Sequence, residues 1–236
     1  MGNNTGGYDY EKRVVEALVH SGYSGEITEP AGASSVGADA DIMIQGKRYL
    51  VEIKQDAKAQ MGGTSLSYDE EGFGFIGSSV ASDTASAVLT EMNCRQSAVQ
   101  RLLESVGAES FPLACDKQTW NKAKEEGLLK PVNAVVKRNT DFICDHYTNK
   151  GVHYIQIGDS GLFHLGENPA NLPVPKLEGE INLEVRAGRS GSRKRKDGTE
   201  VVSGGLRVQG RLQFNGKSDF TLDDISSIEK MMKEVG

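Results

Sequence analysis

The chain has 236 residues and a formal net charge of −6, from 27 lysines and arginines against 33 aspartates and glutamates. This length predicts one elaborated domain or two small ones. No run of 18 apolar residues is present and the first residues lack the apolar stretch of a signal peptide, so a membrane partner is not expected and we predict a cytoplasmic protein. Three cysteines at irregular spacing favour neither a disulfide framework nor a zinc site.

A helix and a β-hairpin are the first predicted elements. Tyr8–His20 carries apolar residues at helical spacing. A hairpin follows, with strands at Asp41–Gln45 and Tyr49–Lys54 and a turn at Gly46-Lys47, because β-branched and apolar residues alternate there between turn formers.

The hairpin carries the candidate catalytic groups. Asp41 begins its first strand, whereas Glu52 and Lys54 lie two residues apart on its second strand and share one face of the sheet. Carboxylates on strands that otherwise read as core require a compensating charge, and Mg²⁺ would supply it, with Mn²⁺ as a substitute. Predicted metal ligands are Asp41, Glu52 and the backbone carbonyl of Ile53, while Lys54 would stand beside the attacking water. The alternative is an ordinary hairpin with a solvated Glu52–Lys54 pair.

An aspartate entering one strand, followed by Glu52-Ile53-Lys54 on the next, resembles the PD-(D/E)XK nucleases. The family's proline is missing, because Ala40 stands before Asp41, and the resemblance covers mainly the first third of the chain. It implies an α/β (α+β) fold with a restriction-endonuclease-like αβββαβ core and metal-dependent hydrolysis of DNA in a bacterial or phage-infected cell. In many such enzymes a glutamate of the first helix faces the metal. Glu16 lies at a matching place, and an exposed helical glutamate is the alternative.

Two neighbours of the motif remain open. Asp39 is most simply a turn residue, although it could support the metal site or bind a second metal. Lys58 lies just beyond the predicted catalytic strand and would reach a phosphate, with a plain polar loop as the alternative.

The middle of the chain predicts another hairpin, two helices and a strand. The hairpin pairs Thr64–Tyr68 with Gly72–Gly77, and the helix Ser82–Gly107 would pack across the catalytic sheet. A shorter helix at Asp116–Gly127 and a strand at Val132–Lys137 would complete the αβββαβ order implied by the resemblance.

We expect a nuclease core at residues 1–140 and a β-rich extension at residues 141–236, packed as one unit. The extension begins with a hairpin of His153–Ile157 and Gly161–Leu165. It ends with an amphipathic helix, Thr221–Glu234, whose isoleucines and methionines should face inward.

A basic β-arm within the extension is the predicted DNA contact. Strands Ile181–Arg186 and Val201–Phe214 flank the basic stretch Ala187–Gly198, which would grip a duplex backbone without reading its bases. A solvated loop or a localisation tag is the alternative. Gln156 is a candidate reader of base edges. The predicted DNA-binding residues are Arg186, Arg189, Arg193, Lys194, Arg195, Lys196, Arg207 and Arg211.

The sequence therefore predicts a metal-dependent endonuclease of restriction, homing, recombination or repair type that acts on double-stranded DNA. A homodimer would explain paired cuts. The competing class is a non-catalytic DNA-binding protein that uses the basic arm, and a third is a small-molecule-binding β domain on a degenerate core.

Overall fold

The computed structural model describes residues 5–29, 38–58, 60–69, 72–76, 96–110, 113–128 and 135–236. Helices and strands are combined in a mixed α+β fold, which confirms the predicted α/β (α+β) class. In chain order the elements are α1 (Thr5–Ser21), β1 (Ala40–Ile44), β2 (Lys47–Lys54), β3 (Gln60–Asp69), β4 (Gly72–Ile76), α2 (Gln96–Ser105), β5 (Leu113–Asp116), α3 (Lys117–Glu125), β6 (Val135–Asn139), α4 (Asp141–Thr148), β7 (Val152–Ile157), β8 (Gly161–His164), β9 (Glu180–Lys194), β10 (Glu200–Gln213) and α5 (Ile225–Val235).

Two compact units share the chain, and neither is continuous in sequence. The first unit combines Met1–Ala59, Asn139–Ile181 and Leu212–Gly236, whereas the second combines Gln60–Arg138 and Asn182–Arg211. The chain is therefore not divided as the predicted segments 1–140 and 141–236, because the last third contributes strands and a helix to the first unit.

The first unit is built on a four-stranded sheet in the order β1-β2-β7-β8. β1 and β2 form the predicted antiparallel hairpin, but the turn lies at Gln45 and Gly46, whose φ angles are 49° and 75°, one residue earlier than predicted. β2 pairs in parallel with β7, and β7 pairs with β8 through the predicted hairpin. Before the hairpin, the Tyr23 carbonyl accepts from the Met43 N–H at 2.7 Å, so the chain also touches the outer edge of β1.

Helices α1 and α5 cover this sheet. Val14 and Leu18 of α1 and Met231 of α5 are almost fully buried in one cluster with Ile42 and Val51 of the sheet. Burying each such side chain contributes about 1.5–3 kcal/mol. The core of the first unit therefore depends on residues from both ends of the described chain.

The C-terminal helix is shorter than predicted. Asp224 caps its N-terminus by accepting from the Ser226 N–H at 3.1 Å, and α5 begins at Ile225 rather than Thr221. Met232 faces inward as predicted, but Ile225 is 40% exposed because it lies in the first turn, outside the buried stripe.

Gln156 is buried and hydrogen-bonded within the first unit, so it does not contact DNA bases as predicted. Its side-chain nitrogen donates to the Tyr10 and Thr221 hydroxyls at 2.9 Å each, and its oxygen accepts from the Leu222 N–H at 2.9 Å. The residue is 0% exposed, so it cannot contact a base edge. It joins α1, β7 and the segment before α5.

The second unit contains a sheet in the order β4-β3-β10-β9-β6, and β5 pairs with β10. The predicted β3–β4 hairpin is present. Trp120 of α3 is buried against Gly204 of β10, where an added Cβ would come within 2.7 Å of the indole ring. A glycine at this position lets the indole lie directly on the strand.

The helix predicted at Ser82–Gly107 is described only from residue 96, where α2 lies in the second unit and packs against α3. Its earlier part, residues 82–95, lies outside the described residues. Within the first unit, the helix that precedes the strand parallel to β2 is α4. No helix in the described ranges is long and apolar enough to cross a membrane.

Candidate active site

The hairpin β1–β2 separates apolar and charged side chains between its two faces. Ile42 and Val51 point into the core of the first unit, as does Ile53. The intervening positions on β2 carry Glu52 and Lys54, because successive strand residues alternate in direction. The predicted acid and base therefore do share one face.

Glu52, Lys54 and Tyr147 form a bonded group. The Lys54 ammonium and the Tyr147 hydroxyl both donate to Oε1 of Glu52, the tyrosine at 3.1 Å. The side chains of Glu52 and Lys54 are 12% and 17% exposed, so the pair is largely shielded but not sealed from solvent. Burial alone would lower the pKa of Lys54, but Tyr147 and the neighbouring carboxylates outweigh it and raise the pKa above its ordinary value.

Asp39, rather than Asp41, completes this group. It is 8% exposed, and its Oδ2 accepts from the Ile53 N–H at 2.8 Å. Burial and the negative charge of Glu52 raise the pKa of Asp39 to about 6, although Lys54 partly offsets them. Two buried carboxylates and one ammonium therefore interact closely.

Asp41 holds the chain before the hairpin. Its carboxylate accepts from the backbone N–H groups of Gly25, Glu26 and Ile27 at 3.1, 2.9 and 3.1 Å, and from Arg48. Burial would raise the pKa of Asp41, but these donors outweigh it and lower the pKa. Four donors occupy the roughly four lone-pair positions of a carboxylate. Asp41 is thus engaged as a structural anchor, and the described donors leave no lone-pair position of its carboxylate open for a metal.

The cluster offers oxygen atoms suited to a hard divalent cation. Among the described residues, no hydrogen bond reaches Oδ1 of Asp39 or Oε2 of Glu52. Mg²⁺ is usually held by one or two carboxylates and keeps several waters, so two open carboxylate oxygens fit its needs. A cation there would relieve the repulsion that raises the pKa of Asp39. No group of three or more His, Cys, Asp or Glu side chains arranged to hold a metal occurs in the part of the chain that the structure describes.

Two other predicted residues lie apart from these contacts. Glu16 is exposed on α1, and its carboxylate lies 3.6 Å from the Lys12 ammonium. Lys58 is exposed in the turn after β2, where its N–H donates to Asp56 at 2.6 Å. The Ile53 carbonyl stays a predicted ligand.

The predicted basic arm is a β-hairpin rather than a loop between two strands. β9 extends to Lys194, and Arg195 closes the turn by donating its N–H to the Thr199 carbonyl at 2.8 Å. Arg189 forms an ion pair with Glu200 of β10 at 3.1 Å. Four consecutive cationic side chains at the tip, Arg193–Lys196, are exposed. Arg211 is half-buried, and the side chains of Arg186 and Arg207 lie outside the described residues.

Sequence reasoning missed Tyr147 and Lys150. Tyr147 lies in the last turn of α4 and Lys150 just after the helix, both about 95 residues after β2. The Lys150 ammonium lies 5.9 Å from the centre of the Tyr147 ring, and its charge lowers the pKa of Asp39. No local pattern links α4 to the motif, so only the parallel pairing of β7 with β2 could have indicated these residues.

Comparison of the chain with family models, curated proteins and solved structures gave no match. The functional argument therefore depends on the geometry of the chain itself.

Proposed function

We propose that the chain is a divalent-metal-dependent endonuclease that cleaves DNA, with Asp39, Glu52 and Lys54 at its active site. One observation carries the proposal: two shielded carboxylates, each with an oxygen that accepts no hydrogen bond from the described residues, lie beside a charged lysine. Such a group is costly to bury without a compensating ligand.

The order of elements in the first unit supports the proposal. The first unit begins with helix α1, a bridge at Ser24 on the edge of β1, and strands β1 and β2. The chain then forms most of the second unit and returns to the first unit with α4 and β7. With the bridge at Ser24 counted as a short strand, this order is consistent with the αβββαβ order that the resemblance to the PD-(D/E)XK nucleases implies. It uses α4 and β7 as the last two elements, in place of the predicted helix Ser82–Gly107 and strand Val132–Lys137.

Each residue has a distinct task in the proposed reaction. Asp39 and Glu52 would hold Mg²⁺, or Mn²⁺ in its place, which when bound polarises the scissile phosphate and lowers the pKa of a coordinated water. Lys54 stays protonated at neutral pH because its pKa is raised. It therefore orients the water and stabilises developing negative charge, and does not remove a proton.

The basic hairpin supports DNA as the substrate. Its exposed tip, Arg193–Lys196, presents four consecutive cationic side chains to a polyanion. Contacts of this kind go to phosphates, so they supply affinity and little sequence preference.

Incubation of the full chain with supercoiled plasmid and Mg²⁺ tests the proposal. A closed circle has no ends, so conversion to nicked or linear DNA requires an endonuclease. We expect Glu52→Gln and Lys54→Ala each to lower the cleavage rate by at least ~100-fold, since loss of mere supporting groups at metal sites already costs 10–100-fold.

Glu229→Gln is the matched control, because it neutralises an exposed glutamate of α5 and should leave cleavage unchanged. Cleavage that survives in Glu52→Gln would overturn the proposed site. Binding of DNA without cleavage by the unaltered chain would instead favour the non-catalytic DNA-binding protein, for which the basic hairpin alone suffices.

A further inference from the structure

The hydroxyl of Tyr147 is a buried polar group that the proposed chemistry does not yet use. Tyr147 is 3% exposed, and its hydroxyl donates to Glu52 at 3.1 Å. Because α4 runs directly into β7, and β7 pairs in parallel with β2, the contact joins two segments about 95 residues apart. A contact so remote in sequence requires the folded sheet.

Both donors to Glu52 use the same oxygen. Tyr147 and Lys54 donate to Oε1, and no described residue donates to Oε2. The two hydrogen bonds fix the carboxylate through one atom and leave the other available. The phenol of Tyr147 donates at neutral pH, because the ordinary pKa of tyrosine is about 10.

We infer that Tyr147 is a positioning residue that orients Glu52 for a divalent cation. The inference depends on the proposed function, because it assigns Tyr147 to the same site. Groups that hydrogen-bond metal ligands fix the ligand's direction, and their loss weakens metal binding although they never touch the metal. Tyr147 would act in this way through Oε1, which leaves Oε2 available to a cation.

A second buried tyrosine allows the orienting role of Tyr147 to be distinguished from a contribution to core packing alone. Tyr154 of β7 is also fully buried, and its hydroxyl donates to Asn168 at 2.7 Å, away from the charged cluster. Tyr147→Phe and Tyr154→Phe each remove one buried hydroxyl from the same unit. Both variants should lose stability, but only the first should lose metal affinity.

The test is calorimetric titration of Mn²⁺ into the full chain without DNA, using the unaltered protein, both tyrosine variants and Glu52→Gln. We expect Tyr147→Phe to weaken Mn²⁺ binding by ~10–100-fold, with Tyr154→Phe unchanged and Glu52→Gln without binding. Unchanged affinity in Tyr147→Phe, with binding lost in Glu52→Gln, overturns the role of Tyr147 and leaves the proposed site intact. Equal binding by the unaltered protein and Glu52→Gln, or binding by neither, overturns both.

Discussion

The charged side chains of the two hairpins, β1–β2 and β9–β10, differ in their exposure to solvent. At β1–β2 the charges are shielded: Asp39 and Glu52 are 8% and 9% exposed as whole residues, and burial together with the charge of Glu52 raises the pKa of Asp39. In β9–β10 the four cations at the tip are exposed, and the Arg189–Glu200 pair beside them is 43% and 26% exposed. A shielded charge must be stabilised by specific partners, whereas a solvated one costs little.

The two hairpins therefore differ in how narrowly their charged side chains define a ligand. The positions of Asp39, Glu52 and Lys54 are constrained by a costly arrangement, so their geometry favours a particular ligand class. The positions of exposed cations are loosely constrained, so they favour only a general attraction to polyanions.

The largest expected effect is the loss of the Asp41 anchor. Asp41→Ala would leave three backbone N–H groups and Arg48 without their acceptor, which should lower the free energy of unfolding by roughly 3 kcal/mol or more. Because the folded-state pKa of Asp41 is lowered, its stabilisation is present above the ordinary carboxyl pKa and is lost as the pH falls through the folded value. Denaturant unfolding followed by circular dichroism at neutral and acidic pH measures both.

Glu26→Ala is the control for that variant. Its carboxylate is 80% exposed in the ion pair with Arg48, so its removal should leave the unfolding midpoint nearly unchanged. Equal loss of stability in the two variants would contradict the anchoring role of Asp41.

The next largest effect concerns Asp39, whose replacement should raise the free energy of unfolding and not lower it. Its folded-state pKa of about 6 lies above the ordinary value, so the folded state retains a proton that the unfolded state releases. Stability should therefore fall as the pH rises from about 4 to about 6, and Asp39→Asn should remove this loss and stabilise the protein at neutral pH by on the order of 2–3 kcal/mol. Thermal unfolding across this pH range checks the expectation.

Added Mg²⁺ provides a second measurement of the same site. It should raise the melting temperature of the unaltered chain but not that of Asp39→Asn. Asp159→Asn changes an exposed turn residue and serves as the control. A pH profile that is the same in Asp39→Asn as in the unaltered chain would contradict the shielded carboxylate pair.

The basic hairpin should affect binding and not stability. Replacing the four cations of Arg193–Lys196 with glutamine should reduce the slope of log affinity for duplex DNA against log salt by up to about 3–4, since each phosphate contact contributes about 0.9. Fluorescence anisotropy at several salt concentrations measures the slope. A control of equal charge change replaces four exposed lysines elsewhere, namely Lys47, Lys124, Lys217 and Lys233. Equal slopes in the two variants would show that DNA affinity depends on the net charge of the chain and not on the basic hairpin.

The smallest effect is expected from Glu200→Gln. The change removes the partner of Lys117 at 2.7 Å and of Arg189 at 3.1 Å, but these pairs are partly solvated. The unfolding midpoint should not change measurably by circular dichroism. A clear loss of stability would show that the second hairpin also depends on specific charge partners.

The local patterns of the chain were more predictable than its tertiary contacts. Alternation and turn residues predicted the β1–β2 hairpin and placed Glu52 and Lys54 on one face, as the structure has them. The sequence favoured Asp41 over Asp39 as the metal ligand, and it could not show that backbone N–H groups of a loop engage Asp41 in the folded unit. Tyr147 was missed for the same reason, since its partner lies about 95 residues away.

The discontinuous construction of the first unit has a consequence for synthesis on the ribosome. Helix α1 is made first, yet α5, which packs against it, begins about 200 residues after α1 ends, and synthesis of that interval takes about ten to forty seconds at ~5–20 residues per second. During that time the apolar stripe of α1 lacks its final neighbour. The nascent chain therefore has a long window in which chaperones, or another nascent copy, can compete for the surface that α5 later covers.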